Sequence, residues 1–290
     1  MGGDTQQVGA TVSGVQEALT VREPSRGWLR INLVEVWRYR ELLQLLVWRN
    51  TIIRYKQSVV GIGWALIKPV ISMVVFSFVF GTMARLPSDG VPYPIFAYVA
   101  LLPWTYFAGC LDGTGSSLVS GAGLISKVYF PRLILPLSSL FTGLVDFAVS
   151  SVVLVGMMAW YWDAIHVTWG ILCLPLFLVL AMITAFAFGL WFTALSVKYR
   201  DVQHLMPFLI QIWLYLTPVA YSVSLVPERW RLLYGLNPMV GVIEGFRWAL
   251  LGKAGPDWGA MAIGAVISLV VLVGGVYYFR RTERTMVDVI

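Results

Sequence analysis

The stretch WGILCLPLFLVLAMITAFAFGLWFTALSV, residues 169–197, contains no Asp, Glu, Lys or Arg. A helix of about 20 apolar residues spans the hydrocarbon core of a bilayer, so this stretch predicts a transmembrane helix. Five further stretches are also long and apolar, with at most one charged residue each, at 61–84, 93–113, 133–160, 206–226 and 258–279. Together they predict an all-α membrane protein with six transmembrane helices per protomer.

Composition agrees with this prediction. Of the 290 residues, 58% are hydrophobic and 12% are charged, about half the charged share of a soluble domain. Six spans and their loops use nearly the whole chain, which leaves no room for a second soluble domain. The net charge of +6 does not indicate a nucleic-acid partner, because the basic residues lie at the predicted membrane edges.

The basic residues also predict an orientation. Sixteen of the 21 Lys and Arg residues lie on the side that holds the N-terminal arm, the 114–132 and 198–205 loops and the C-terminal tail. Positive residues favour the cytoplasm, so both termini are predicted to be cytoplasmic. Residues 1–27 are polar and lack the apolar core of a cleavable signal peptide. We expect residues 1–34 to be a disordered or extended arm, followed by one transmembrane domain over 35–290.

Residues 35–56, EVWRYRELLQLLVWRNTIIRYK, precede the first span. On a helix, most large apolar residues fall on one face and most charged residues on the other. Such a helix lies in the membrane interface, with Trp at headgroup depth. The alternative is a helix packed on a partner protein. The candidate interfacial residues are Trp37, Arg38, Trp48, Arg49 and Arg54.

The segment between the fifth and sixth spans, residues 227–252, is too apolar for a solvated loop. It predicts two short re-entrant helices separated at 236–238, since irregular backbone inside a bilayer must be buried in protein or line a water-filled cavity. Glu244 and Arg247 are three residues apart and are predicted to pair on one helix face. Asn237 and Pro238 complete this candidate outer gate.

Two acidic residues fall within predicted spans, Asp112 at the end of the second and Asp146 inside the third. Ionisable residues in spans are costly and face a bundle interior or a polar path. Both are therefore predicted to be buried, either as pathway residues or as partners in a hydrogen bond between helices.

Aromatic side chains within the spans could line a path for sugars, because aromatic rings stack on the apolar C–H faces of sugar rings. Ordinary packing within the bundle is the alternative. These candidates are Trp104, Tyr106, Phe107, Trp213, Tyr215 and Tyr221.

No catalytic or metal-binding motif is visible. Cys110 and Cys173 lie in apolar spans and are predicted to be packing residues. His166 and His204 fall on opposite sides of the membrane, so they cannot share a metal. The chain also lacks a phosphate-binding loop of the GxxxxGK[ST] type, so any ATPase that drives it must be a different chain.

Three ordered stretches resemble the permease subunit of type-2 ABC exporters for polysaccharides, the Wzm-like O-antigen permeases. They are WRNTIIRYKQSVVGIGWALIKPV at 48–70, GLISKVYFPRLILPLSSL at 123–140 and LSVKYRDVQHLMPFLIQIWLYLTPVAYSVSLVPERWRLLYGLNPMVGVIEGFRWALLG at 195–252. The resemblance covers residues 35 to 280. Gly121 is a small departure, since a polar residue such as Asn is expected there.

The resemblance implies a homodimer in the bacterial cytoplasmic membrane. Two copies of a separate ABC ATPase, which hold ATP and Mg, would bind below it, and the chain itself would hold no cofactor. The substrate would be a polysaccharide on an undecaprenyl-type lipid carrier. A cytoplasmic coupling helix would enter a cleft of the ATPase, and its two aromatics are expected to be exposed. It maps to Ser126, Lys127, Val128, Tyr129, Phe130, Pro131 and Arg132.

Three alternatives remain at this point. A teichoic-acid exporter would keep the architecture and carry a phosphate-rich polymer, and an exporter of drugs or small lipids would carry a smaller cargo. A membrane enzyme acting on glycolipids would need clustered acids, for which Asp112 and Asp146 are the candidates.

Overall fold

The structure, a computed structural model, describes residues 33–56, 60–252 and 255–283. Within these ranges all regular structure is helical and no strand is present. The α-helices are α1 (Leu33–Arg38), α2 (Arg40–Lys56), α3 (Gly63–Phe76), α4 (Tyr93–Gly115), α5 (Ser117–Ser120), α6 (Ala122–Ile125), α7 (Ile134–Trp160), α8 (Leu174–Lys198), α9 (Asp201–Tyr215), α10 (Glu228–Gly235), α11 (Pro238–Leu251) and α12 (Trp258–Glu283). A π-helical segment, Ser77–Met83, continues α3, and 3₁₀ turns lie at Trp162–Ala164, Trp169–Cys173 and Val223–Leu225.

Residues 1–32 of the predicted N-terminal arm lie outside the described residues. The described part of the chain begins with α1 at Leu33. Five helices in the described ranges are long and apolar enough to cross a membrane. They are Gly63–Met83, Tyr93–Gly115, Ile134–Trp160, Trp169–Lys198 and Trp258–Glu283. Their bounds differ by only a few residues from the first, second, third, fourth and sixth predicted spans, so an all-α, multi-pass membrane protein is confirmed.

The prediction of one helix over 206–226 is wrong. α9 ends at Tyr215, and turns follow as far as the 3₁₀ turn at Val223–Leu225. Pro218 explains part of this break, because the residue before a proline avoids the α-helical region. Six spanning helices are therefore not confirmed for the described part of the chain.

α4 is the centre of the bundle. It packs against α3, α7, α8 and α11, and most of its side chains are buried. α12 packs on α8 and α2 lies along α7. A second, smaller core cluster joins Leu46 of α2 to Phe130, Leu190 and Phe279. This cluster connects the N-terminal helix to the last span.

Two glycines have a local steric cause. A Cβ on Gly121 would lie 2.6 Å from Leu135 Cδ1 and 2.9 Å from the Ser117 carbonyl oxygen, so the polar residue expected there has no room. Gly252 ends α11 with φ +67°, and a Cβ there would lie 2.4 Å from the His166 carbonyl oxygen. Glycine reaches this left-handed conformation without a steric penalty.

Candidate transport sites at the two ends of the bundle

Arg247 holds the irregular backbone that follows α9. Its side chain is 3% exposed, and its two Nη atoms donate to the carbonyl oxygens of Val219 at 3.0 Å and Tyr221 at 3.1 Å. The guanidinium carbon lies 3.7 Å from the centre of the Phe96 ring, within cation–π range. Glu244 Oε1 lies 3.8 Å from Arg247 Nη1, so the predicted pairing of these two residues is confirmed.

Asn237 joins the end of α9 to the start of α11. Its Oδ1 caps α11 by accepting from the Met239 N–H at 3.1 Å and also accepts from Trp213 Nε1 at 3.0 Å. Its Nδ2 donates to the Leu216 carbonyl at 3.3 Å and to Thr217 Oγ1 at 2.9 Å. One side chain thus satisfies backbone groups at two helix ends, which otherwise lack partners.

Tyr93 completes this arrangement, since its hydroxyl donates to the Ala220 carbonyl. We call residues 216–222, together with Tyr93, Asn237 and Arg247, the turn cluster. Non-helical backbone in an apolar environment is stable only when its polar groups are paired within the protein. The turn cluster supplies that pairing. Two short helices with a break before Pro238 are present, α10 largely exposed and α11 mostly buried. That they are re-entrant stays a prediction.

Burial also shifts the ionisation of the pair in α11. It lowers the pKa of Arg247 to about 10, against the opposing effects of Glu244 and Asp89. It raises the pKa of Glu244, although Arg247 opposes the shift. Arg247 therefore stays protonated at neutral pH, and its charge is held by carbonyl dipoles, an aromatic face and one carboxylate.

At the other side of the bundle, hydrogen bonds between polar side chains hold α2 against α7. Arg54 Nη1 and the Tyr55 hydroxyl both donate to the carboxylate of Asp146. Asn50 Nδ2 donates to Ser138 Oγ at 3.4 Å. We call these five side chains the α2 latch. The structure thereby brings together two candidates, Arg54 and Asp146, that sequence analysis placed in separate groups.

The remaining candidates of the N-terminal helix are exposed on the protomer. Trp37 and Trp48 are 71% and 66% exposed, and Arg38 and Arg49 are exposed as well. Leu46, on the opposite face, is buried. The helix thus has one face committed to the bundle and another available to lipid or to a partner protein, which are the two alternatives given above.

The prediction of a coupling helix at residues 126–132 is wrong, because α6 ends at Ile125, α7 begins at Ile134 and the residues between them are not helical. The segment has two parts. Residues 126–129 are exposed, with Tyr129 at 73%. Phe130 was expected to be exposed, and this is wrong, because it is 5% exposed in the second core cluster. Pro131 is half-buried, and Arg132 Nη1 donates to the carbonyl of Glu283, the last residue of α12, at 2.6 Å. The exposed tip is thus attached to the last span through buried contacts.

The structure corrects the placement of several other candidates. Trp104, Tyr106 and Phe107 are 4%, 4% and 0% exposed, so they pack in the core of the protomer and do not line an open path. Asp112 is exposed rather than buried. These residues fall on α4, whose central position in the bundle the sequence did not reveal.

The other three path candidates lie near the turn cluster. Trp213 is half-buried and packs edge-on against Phe107, with ring centres 4.9 Å apart. Tyr215 is exposed. The Tyr221 hydroxyl donates to the Tyr215 carbonyl at 3.0 Å and lies 2.6 Å from the Tyr234 hydroxyl. Their role as a substrate path stays a prediction.

Sequence reasoning missed Tyr55, Tyr93, Asn50 and Ser138, which make defining contacts in the two clusters. Each forms a hydrogen bond to a residue far along the chain. The sequence carries only a weak signal for the roles of these four residues. A tyrosine or amide near a membrane edge is usually explained as an interfacial side chain.

These features define a class, the multi-pass transmembrane domains in which short helices are folded into one end of a bundle. The chain belongs to the ABC-2 type transporter family, which matches residues 41–251. This confirms the resemblance to type-2 ABC permeases.

Similar proteins include the O-antigen export system permease protein RfbA of Myxococcus xanthus, which is 30% identical over 86% of this chain and 96% of its own length. A protein of the same name from Klebsiella pneumoniae is 26% identical over 71% of this chain and 79% of its own length. The polysialic acid transport protein KpsM of Escherichia coli is 21% identical over 84% of this chain and 94% of its own length.

Proposed function

We propose that this chain is the permease subunit of an ATP-driven ABC transporter that exports lipid-linked polysaccharide of the O-antigen type across the bacterial inner membrane. The observation that carries the proposal is the match, over nearly the full length of both chains, to an O-antigen export permease. The chain itself performs transport and no bond chemistry. ATP and Mg are held by the partner ATPase.

The proposed assembly is a homodimer with two ATPase subunits and with both termini in the cytoplasm. The excess of Lys and Arg on the side of the 126–132 segment supports this orientation. The first span offers a broad apolar face for lipid or a second protomer, since Ile71, Val74 and Phe78 are each more than half exposed. In this orientation the turn cluster lies at the outer side and the coupling segment at the inner side.

The proposed mechanism begins when the ATPase dimer closes and pushes on the exposed tip at residues 126–129. Phe130 packs in the same buried cluster as Leu46 of α2 and Phe279 of α12, and close-packed interiors transmit displacement. The push therefore reaches both the N-terminal helix and the last span as a rigid-body shift. A path for the carrier-linked polymer then opens beside α2.

Substitution of Tyr129 by alanine is expected to impair coupling without affecting folding. Tyr129 is largely exposed, and exposed aromatics often dominate the energy of protein interfaces. We expect substrate-dependent stimulation of the ATPase to fall about tenfold, which corresponds to about 1.4 kcal/mol of activation free energy. The measurement is ATP hydrolysis by the assembled transporter with and without glycolipid.

Phe130→Ala is the matched comparison, because removing a buried Phe costs about 3–5 kcal/mol of stability. Tyr129→Ala should therefore keep the thermal midpoint of the parent protein while Phe130→Ala lowers it. Wild-type stimulation in the Tyr129 variant would exclude residues 126–129 as the coupling element.

Depletion of the chain is expected to remove the polysaccharide from the cell surface while lipid-linked polymer accumulates inside. The measurement combines surface labelling of intact cells with extraction of total glycolipid. Expression of the full-length chain should restore the surface signal. Equal surface polymer with and without the chain would overturn the proposed function.

An acidic polymer is the second candidate cargo, and the similarity to a polysialic acid transport protein favours it. A path for a polyanion should offer basic side chains. Lys68 is the basic residue within the predicted spans, and Arg247 already donates through both Nη atoms to carbonyl groups and lies beside Glu244. A neutral or weakly charged polymer is therefore the preferred cargo, and sugar analysis of the accumulated polymer distinguishes the two.

A further inference from the structure

A cavity of about 460 Å³ lies beside the turn cluster, between α10, α11 and the turn that joins the first two spans. Its volume falls within the range of small-molecule sites, about 300–1,000 Å³. Its polar lining includes Asp89, Ser222, Ser224, Tyr234, Glu244 and Arg247. The proposed mechanism assigns no role to this cavity.

The acidic wall of the cavity is preorganised. Ser222 Oγ donates to Asp89 at 2.6 Å, and Ser224 Oγ donates to the same carboxylate at 3.4 Å. Ser222 is buried, and Asp89 has φ +54°, a left-handed conformation that few residues other than glycine, asparagine and aspartate adopt readily. These contacts fix a carboxylate on a turn where it can accept further hydrogen bonds.

Arg247 places a buried guanidinium in the cavity lining. It is 3% exposed, its Nη atoms donate to carbonyls, and its Nε has no hydrogen-bond partner within the described ranges of the chain. A buried donor without a partner costs about 1–3 kcal/mol. Because this Nε atom is itself buried, Arg247 contributes charge to the cavity, and the guanidinium open to a ligand oxygen is that of the exposed Arg231.

The charges select the class of ligand. Asp89, Glu244 and Asp257 line the cavity against Arg231 and Arg247, so the wall carries no excess of positive charge for a phosphate or carboxylate. Carboxylates accept hydrogen bonds, guanidinium groups donate them, and hydroxyls do both. This combination suits vicinal hydroxyl groups, and the ring of Tyr234 offers an apolar face for a sugar.

We propose that this cavity is a binding subsite for one neutral sugar unit of the exported polymer, held at the α10–α11 end of the permease. The proposal rests on the proposed function for the identity of the polymer. A sugar held there would occupy the path's last position before release, beside the buried helix α11.

The test uses the purified full-length chain and oligosaccharides released by mild acid from the surface polysaccharide of the cells that make it. Binding is measured by saturation-transfer difference NMR. Ser224→Trp, which fills the cavity mouth, should abolish the signal. Asp89→Asn keeps a residue that tolerates the left-handed backbone and should weaken binding about tenfold, or about 1.4 kcal/mol.

Leu225→Trp is the matched control, because Leu225 is exposed next to Ser224 but does not line the cavity. It should retain the signal, and all three variants should keep the thermal midpoint of the parent protein. Absence of signal with the parent chain, or an equal signal with Ser224→Trp, would overturn the subsite. If depletion of the chain still removes surface polymer, only the subsite fails; if depletion has no effect, the proposed function fails whatever the cavity binds.

Discussion

Replacement of Arg247 by methionine is expected to destabilise the α10–α11 end of the bundle and to abolish export. The substitution preserves apolar volume but removes the donors to the Val219 and Tyr221 carbonyls. Each buried polar group left unpaired costs about 1–3 kcal/mol, so two orphaned carbonyls cost about 2–6 kcal/mol. Glu244 also loses its cationic partner. The measurement is the thermal midpoint of the purified protein, followed by size-exclusion chromatography.

Arg229→Met is the matched control, since Arg229 lies on the exposed face of α10. Substitutions of this kind usually change stability by no more than about 0.5 kcal/mol. Arg247→Lys should fall between the two, because an ammonium group restores the charge but lacks the planar fork that reaches two carbonyls. A parental midpoint in Arg247→Met would show that the turn cluster does not depend on this side chain.

The same contacts explain why the fifth span was wrongly predicted. Hydropathy counts apolar residues and correctly located five spans, since helix length in a bilayer is fixed by thickness. It does not register where backbone groups find partners. The Leu216 carbonyl is bonded to Asn237, 21 residues later, and the Val219 carbonyl to Arg247, 28 residues later. A helix can end early at Tyr215 because these distant side chains replace its hydrogen bonds.

The sequence predicted a local pairing of candidate residues, but it did not predict which candidates are buried. Glu244 and Arg247 pair as their spacing on one helix requires. Tyr129 and Phe130 are adjacent and chemically alike, yet one is 73% and the other 5% exposed, because the burial of Phe130 depends on its packing with Leu46, Leu190 and Phe279. Tertiary packing decides such cases, and local sequence does not encode it.

Asp146 is the clearest example of a long-range partner. It was predicted to be buried in a span, either on a pathway or in a hydrogen bond between helices, and the structure shows it bonded to Arg54 and Tyr55 of α2. The sequence separation of 92 between Arg54 and Asp146 places this pairing beyond any local pattern. These hydrogen bonds join α2 to α7. They also hold α2 in place, and α2 is the helix beside which the proposed substrate path opens.

Replacement of Asp146 by leucine is expected to release the end of α2 from α7 and to disrupt export. The change removes the acceptor for both Arg54 and Tyr55, and a cation without a partner beside apolar helices is costly. We expect amide exchange in residues 47–56 to accelerate about tenfold, which corresponds to about 1.4 kcal/mol of lost local stability. Hydrogen–deuterium exchange with mass spectrometry measures this directly.

Glu41→Gln is the matched control, because Glu41 lies exposed in the first turn of α2 outside the α2 latch. Exchange over the far end of the helix should remain unchanged in this variant. Exchanging the latch charges, Arg54→Asp with Asp146→Arg, should recover part of the protection that either single change loses, since paired sites are non-additive. Equal protection of α2 in Asp146→Leu and the parent chain would mean that Leu46 and its apolar neighbours alone hold the helix. The polar latch would then have no part in opening a path beside α2.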